Sequence, residues 1–282
     1  MSGEDKLREY EKKLADTTRM QVSHVSGSGK VRVEGFGDVS ISGSGSVSPD
    51  EINISGSGRI PGGLKTKRVI CAGSVVVAGD IEAEEIRFSG SATVQGSITA
   101  KVLEASGTLA VAGGVKGSMV EVAGSFKAGR RVELDDTLRV HGYLMALEDV
   151  RVEKRVRLRG GFDVDGKVVA ENLEAVLRRV ESHVRNGIEA VNVDVRRRTE
   201  RAFILFSFPA LDRIFGQGRL YTTNISAKGK VFLENVTCDN VRGRVVILSE
   251  GCEVAGKVQY SESVSTHPSA KLVNAPEKVE VK

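Results

Sequence analysis

The feature that most limits what this chain can become is a ladder of glycines. Gly73, Gly90, Gly107 and Gly124 fall 17 residues apart, and Gly79, Gly96 and Gly113 keep the same step six residues later. The apolar residues between them keep time. Val75 matches Ala92 and Leu109, Val77 matches Val94 and Val111, Ile81 matches Ile98 and Val115, and Ile86 matches Leu103 and Val120. A fixed short period decides architecture before local preferences do. This one is too short for a helical-hairpin repeat or a propeller blade, and inside each repeat apolar and polar residues alternate as in a strand. It suits one turn of a parallel β-helix.

Composition agrees with the period. Among 282 residues 32 are Gly, aromatics make up only 5%, and Trp is missing. A solenoid interior is narrow, and it stacks small and branched aliphatic side chains with glycine at the corners. The net charge of +4 is mildly basic. The chain has no aromatic–basic signature of an RNA-binding sheet and no zinc-finger spacing, so no specific nucleic-acid partner is expected. No apolar run reaches the roughly 18 residues that cross a bilayer. The N-terminus lacks the apolar core of a signal peptide, so the expected location is the cytoplasm. Cys71, Cys238 and Cys252 are scattered and odd in number, which argues against both a disulfide framework and a structural zinc site.

The sequence divides into a charged tail (1–20), a main β-helix (21–173), an interrupted segment (174–219), a second β-helix portion (220–275) and a short tail (276–282). In the first tail Leu7, Tyr10 and Leu14 are spaced for a short helix that would be marginal alone. Three SGSG segments begin at Ser26, Ser42 and Ser55 and read as corners of short, irregular turns, with Val39 matching Ile52 and Ile41 matching Ile54. Ile60, Leu64, Thr66, Val69 and Cys71 then fall into the columns of Val77, Ile81, Ala83, Ile86 and Phe88. Cys71 thereby joins an inward column with Phe88, Ala105 and Val122 and acts as a small core filler. After Gly124 the step lengthens to 18, reaching Gly142 and Gly160. The extra residue is expected at the corner 129–131, since a shift inside a strand would turn its apolar set outward. Eight or so turns are visible up to Leu173, a rod of about 40 Å at the spacing of neighbouring strands. The usual hand of parallel connections favours a right-handed coil, and the six-and-eleven spacing of the glycines fits a left-handed hexapeptide repeat poorly.

Residues 174–183 allow two readings. Val176, Val180 and Val184 line one helical stripe, or the strands simply continue, as the echo of GDIEAEEIRF in GIEAVNVDV suggests for 184–195. From Thr199 to Leu220 the repeat breaks. Phe203, Phe206, Phe208 and Phe215, four of the chain's nine phenylalanines, gather there around Pro209. The stretch is either a loop folded onto the solenoid flank or an exposed apolar surface for a partner or a membrane. Arg196, Arg197 and Arg198, with Arg178, Arg179, Arg185 and Arg201, form the densest basic zone, set among Glu174, Glu181, Glu189, Asp194 and Glu200. That zone is either a solvated mixed face or an attraction to anionic lipid. From Leu220 the rod resumes, and Gly251–Val258 repeats Gly73–Ile81 with a one-residue slip that puts Cys252 in the core.

No catalytic or cofactor pattern stands out. Gly27–Lys30 lacks the full spacing and the following helix of a phosphate loop. His24, His141, His183 and His267 are isolated, without metal-ligand spacing. His141, beside the corner Gly142, points outward, either as a solvated side chain or as the base of an acyltransferase of the hexapeptide type. Glu84–Glu85 and Asp135–Asp136 lack the recurring acidic stack of a carbohydrate-cleaving β-helix. No enzyme and no cofactor is expected.

Turns of the form V-x-G-D-I-x-A-E-x-I, as in Val77–Ile86, followed by a G-x-V-x-G step, resemble bactofilins. The resemblance covers roughly 60–172, and more loosely 184–196 and 220–275. It implies a right-handed β-helix, a polymer-forming cytoskeletal scaffold built end to end without nucleotide, and a place at the inner face of the membrane. It implies as partners further copies of the chain or a second bactofilin-like protein. Independently of it, Phe203, Phe206, Phe208, Phe215 and Arg196, Arg197 and Arg198 are candidate contacts for a partner or a membrane. The interruption at 174–219 sets the chain apart from that family's pattern and points to an alternative, a β-helix adaptor that does not polymerise.

Overall fold

The computed structural model describes residues 23–33, 37–197 and 218–280. They form a parallel β-solenoid of about 12 turns, with no helix among the described residues. The first three strands are β1 (Ser23–Val33), β2 (Gly37–Val47) and β3 (Glu51–Ile60). The regular rungs follow as β4 (Leu64–Val77), β5 (Ile81–Val94), β6 (Ile98–Val111), β7 (Val115–Ala128), β8 (Val132–Ala146) and β9 (Val150–Val164). Later rungs break into shorter pieces: β10 (Val168–Leu177), β11 (Ser182–Val184), β12 (Ile188–Arg197), β13 (Leu220–Ala227), β14 (Lys230–Leu233), β15 (Val236–Leu248), β16 (Glu253–Val254), β17 (Val258–Thr266), β18 (Lys271–Leu272) and β19 (Glu277–Lys278).

The register expected from the period holds rung by rung. Leu64, Ile81, Ile98, Val115, Val132, Val150, Val168, Ile188, Ile225, Val241 and Val258 stack in one column, every one buried. Cys71 stacks on Phe88, followed by Ala105 and Val122. Large and small residues compensate within a rung: Phe88 shares β5 with the buried Ala83 and Ala92, and Phe126 shares β7 with Ala128. Such volume balance is what close packing inside a tube of fixed width requires.

The glycine ladder forms one corner. Gly90, Gly107 and Gly124 have φ of +114°, +117° and +136°, a region open to glycine but strained for L side chains. A Cβ at Gly124 would also run into the carbonyl oxygen of Gly107. At the opposite corner side chains cap the next rung. Ser97 N–H donates to Asp80 Oδ1 at 2.7 Å, and Gly114 N–H to Ser97 Oγ at 3.2 Å.

Several expectations change. Residues 23–60 do not begin as parallel turns. β1 pairs antiparallel with β2, and β2 antiparallel with β3, so that Val47 rather than Val39 faces Ile52, and Ile41 faces Gly58 rather than Ile54. The reversal lies at Pro49–Asp50, where Ser48 N–H donates to Glu51 O at 2.8 Å and Glu51 N–H returns a bond to Ser48 Oγ at 3.0 Å. Parallel register starts where β3 meets β4. The inserted residue of the longer step sits not at 129–131 but at Asp135–Asp136, where the offset between β7 and β8 changes. It still falls at a corner, as the side-chain alternation demands. Residues 174–177 continue β10, and no helical stripe forms: Val176 lies on a strand, Val180 is 50% exposed and Val184 is buried. The two β-helix portions form one stack, because β12 pairs directly with β10 on one side and with β13 and β14 on the other. The tail is part of the rod too, with β19 paired to β17. The proposed N-terminal helix at 1–20 lies outside the described residues.

Candidate assembly surfaces

The flanks of the rod are laced with charge that is matched between rungs. Arg68 Nε lies 2.9 Å from Glu85, Arg87 3.3 Å from Glu104, Arg139 3.0 Å from Glu121 and Arg157 2.9 Å from Glu174. In a parallel stack, equivalent positions sit directly above one another, so these opposite charges favour the register, while Glu104–Glu121, Arg139–Arg157 and Glu174–Asp194 set like charges one above the other. Each exposed pair contributes only about 0.2–1 kcal/mol, but a one-rung slip would break many at once. Asp149 is held below the usual carboxylate range, first by the backbone N–H of Lys167 and then by Arg151.

The expected basic zone is largely neutralised where it is described. Arg196 lies 2.7 Å from Asp194 and stacks over the Phe232 ring at 4.9 Å. Arg197 sits 3.8 Å from both Glu234 and Glu250, and Arg185 pairs with Asp163 and Asp165. Arg198, Phe203, Phe206, Phe208 and Phe215 lie outside the described residues.

Burial pushes the thiols of Cys71 and Cys238 up to about 12, far from a reactive thiolate. Cys252 is buried as well, and its Sγ–H donates to Leu233 O at 3.1 Å. His183 stacks on Tyr221 with ring centroids 5.3 Å apart, His267 is bound to Ser269, and His141 is exposed. Gly27–Lys30 runs flat inside β1 and opens no helix. No group of three or more metal-binding side chains occurs among the described residues. Two shallow furrows, of about 480 and 650 Å³, run along one corner over Ala83 and Ala100 and over Ala170, Ala190 and Ala227. In the first, the facing charges Lys65–Glu82, Lys67–Asp50 and Lys101–Glu84 already pair with one another.

The two ends differ from the flanks and from each other. At the N-terminal end β2 lies across the first rung and buries Val39, Ile41 and Val47. β1 then covers β2, with Val25 and Val31 packed partly onto the core. Among the described residues the outer edge of β1 has no strand partner. At the C-terminal end the last rung is thin. β18 and β19 have two residues each. Tyr260, Val264, Ala270 and Leu272 are only partly buried against the core, and Val273 is 74% exposed. Thr266, which continues the column of Leu248, is exposed. The tail crosses only one face of this end, where Val279 N–H donates to Tyr260 O at 2.8 Å and Asn274 Nδ2 to Gly256 O at 3.0 Å. Neither β18 nor the Val264–Thr266 half of β17 has an outer neighbour among the described residues. In the sequence this end is marked by the fading of inward apolar positions after Val258, which names the end turn but not these residues.

No helix among the described residues is long and apolar enough to cross a membrane. Compared with protein-family models, curated proteins and solved structures, the chain finds no match.

Proposed function

We propose that the chain is a bactofilin-like structural protein that associates with further copies through the ends of its β-helix, without nucleotide and without a catalytic step. One observation carries this reading: at the C-terminal end Val264 and Leu272, which continue the inward columns of Val246 and Val254, are only partly buried, and Val273 beside them is exposed. An open solenoid end combines unpaired backbone groups with apolar surface, and stacking a second rod on it satisfies both. The resemblance of the repeat to bactofilins points the same way, and it supports a scaffold role at the inner face of the membrane.

The antiparallel strands β1 and β2 favour a second reading. They finish the N-terminal end as an antiparallel ribbon over the core rather than as another rung, and a rod with one adhesive end forms a pair instead of a filament. The protein would then be an adaptor. Electron microscopy of the full chain, free of nucleotide, separates the two. Filaments of rod width support end-to-end polymerisation, and uniform paired rods support the adaptor. Single rods at every protein and salt concentration overturn both.

A further inference from the structure

We propose that the outward face of β14 and β15 is the docking surface for the chain's own phenylalanine-rich segment, 198–217. After Ile70, which precedes Arg87 in the column, outward positions on this face are charged along most of the rod: Arg87, Glu104, Glu121, Arg139, Arg157, Glu174 and Asp194 succeed one another. At the next two rungs the same column turns apolar, with Phe232 followed by Ile247. Both point away from the core, since their neighbours Val231, Leu233, Val246 and Leu248 are the buried ones. Val245 extends the patch beside them. Nothing else in the alternation of this strand calls for apolar side chains on the solvent side, and an outward apolar pair needs a cover to remove it from water.

The place where the chain leaves the rod supplies one. It departs after Arg197, whose backbone N–H donates to Glu234 Oε2 at 3.0 Å. It returns at Gly218, whose carbonyl accepts from Asn235 Nδ2 at 3.3 Å. Both ends of the 20-residue segment are therefore fastened to the consecutive residues Glu234 and Asn235, just past Phe232. Arg196, the last exposed side chain before departure, already lies over the Phe232 ring at 4.9 Å. Five extended residues reach about 17 Å, enough to bring Phe203 back over Phe232 and Ile247. The segment holds Phe203, Ile204, Leu205, Phe206, Phe208 and Phe215, more apolar surface than a solvated loop carries. An apolar segment and an apolar face beside the two points where that segment joins the described rod complement each other. This inference is independent of the proposed assembly, which uses the ends of the rod.

The test is hydrogen exchange and limited trypsin cleavage on the full chain, diluted until it is monomeric. Arg198, Arg201 and Arg213 lie inside the segment and serve as cleavage sites. Docking predicts slow exchange over 203–215 and slow cleavage, and in Ile247→Glu a tenfold or greater rise in both, with β4–β9 unchanged. Should Ile247→Glu loosen the last rungs themselves, Phe206→Ser with Phe208→Ser tests the same contact from the loop side. Rapid exchange of the segment in the wild-type monomer overturns the proposal, and so does protection that Ile247→Glu leaves intact. Protection that appears only on concentration, or only with vesicles of anionic phospholipid, assigns the phenylalanines to a second copy or to a membrane and likewise overturns it.

Discussion

The N-terminal and C-terminal ends of the rod close the same core by opposite means. At the first, the chain doubles back twice, and β2 seals the interior with Val39, Ile41 and Val47, all at most 2% exposed. At the last, the rung dwindles to two-residue strands, and Leu272 and Val264 remain half covered beside a Val273 that is 74% exposed. The N-terminal end buries the inward residues of β2 within one molecule and leaves Val25 and Val31 of β1 half covered, whereas the C-terminal end leaves Val264 and Leu272 half covered and Val273 exposed. What differs is the direction of the chain and the cover it gives: antiparallel β2 and β1 lie over the first parallel rung, leaving the outer edge of β1 without a strand partner among the described residues, while the last parallel rung is overlain only by the short β18 and β19.

The widest gap between the ends should appear in stability. Ile41→Ala removes a buried side chain from the seal and should cost about 3 kcal/mol, measured by urea denaturation. Leu272→Ala, the same kind of truncation at the open end, should cost under about 1 kcal/mol in the monomer. Equal losses would mean that the two ends are closed equally well. Hydrogen exchange offers a second check. In monomers β2 should exchange at least tenfold more slowly than β18, and association should slow β17 and β18 while leaving β2 unchanged. Protection that instead arises first at β1 would move the contact to the sealed end.

A smaller effect comes from acid. Glu253 titrates below the usual carboxylate range, first because Lys271 binds it and also because Arg219 lies near. A carboxyl depressed in the folded state stabilises above its ordinary value, and that contribution fades as pH falls through the folded one. Acidification from pH 5 towards 2 should therefore loosen the tie between β16 and β18 and speed exchange at the open end. Glu253→Gln should remove this dependence while changing neutral-pH stability little, as expected for an exposed pair. An acid response of the same size in Glu253→Gln would assign it to other groups.

How much of this could be read in the sequence depends on what each pattern encodes. The columns from Leu64 to Val168 were legible because burial on both sides of a corner forces a strict repeat, and the repeat survives conservative swaps such as Ile81 for Val115. The direction of β1–β3 was not. SGSG reads nearly the same both ways, so a hairpin that sets Gly43 opposite Gly56 looks like a parallel turn that stacks them. The step of 13 residues was the available clue, being too short for a full circuit. Residues 174–184 misled in part because Val176, Val180 and Val184 share a helical spacing, while pairing with β9 and β12 decides for strand at Val176. The open end was legible only in outline: the end turns stand out as contact surfaces and inward apolar positions fade after Val258, but a missing neighbour does not single out the residues that lack it. Phe232 and Ile247 did leave one, as two consecutive breaches of alternation in VFL and VIL, though it is visible only once the column of charges before them is known.

The central claim is that the exposed C-terminal rung joins one copy to another. Sedimentation velocity over a dilution series, with wild type run beside Leu272→Asp and free of nucleotide, addresses it most directly. The account predicts wild-type rods that associate reversibly as concentration rises, and a Leu272→Asp protein that stays monomeric at concentrations at least tenfold higher with its β-structure intact by circular dichroism. Wild-type and variant proteins that sediment alike, whether both single or both assembled, would contradict it.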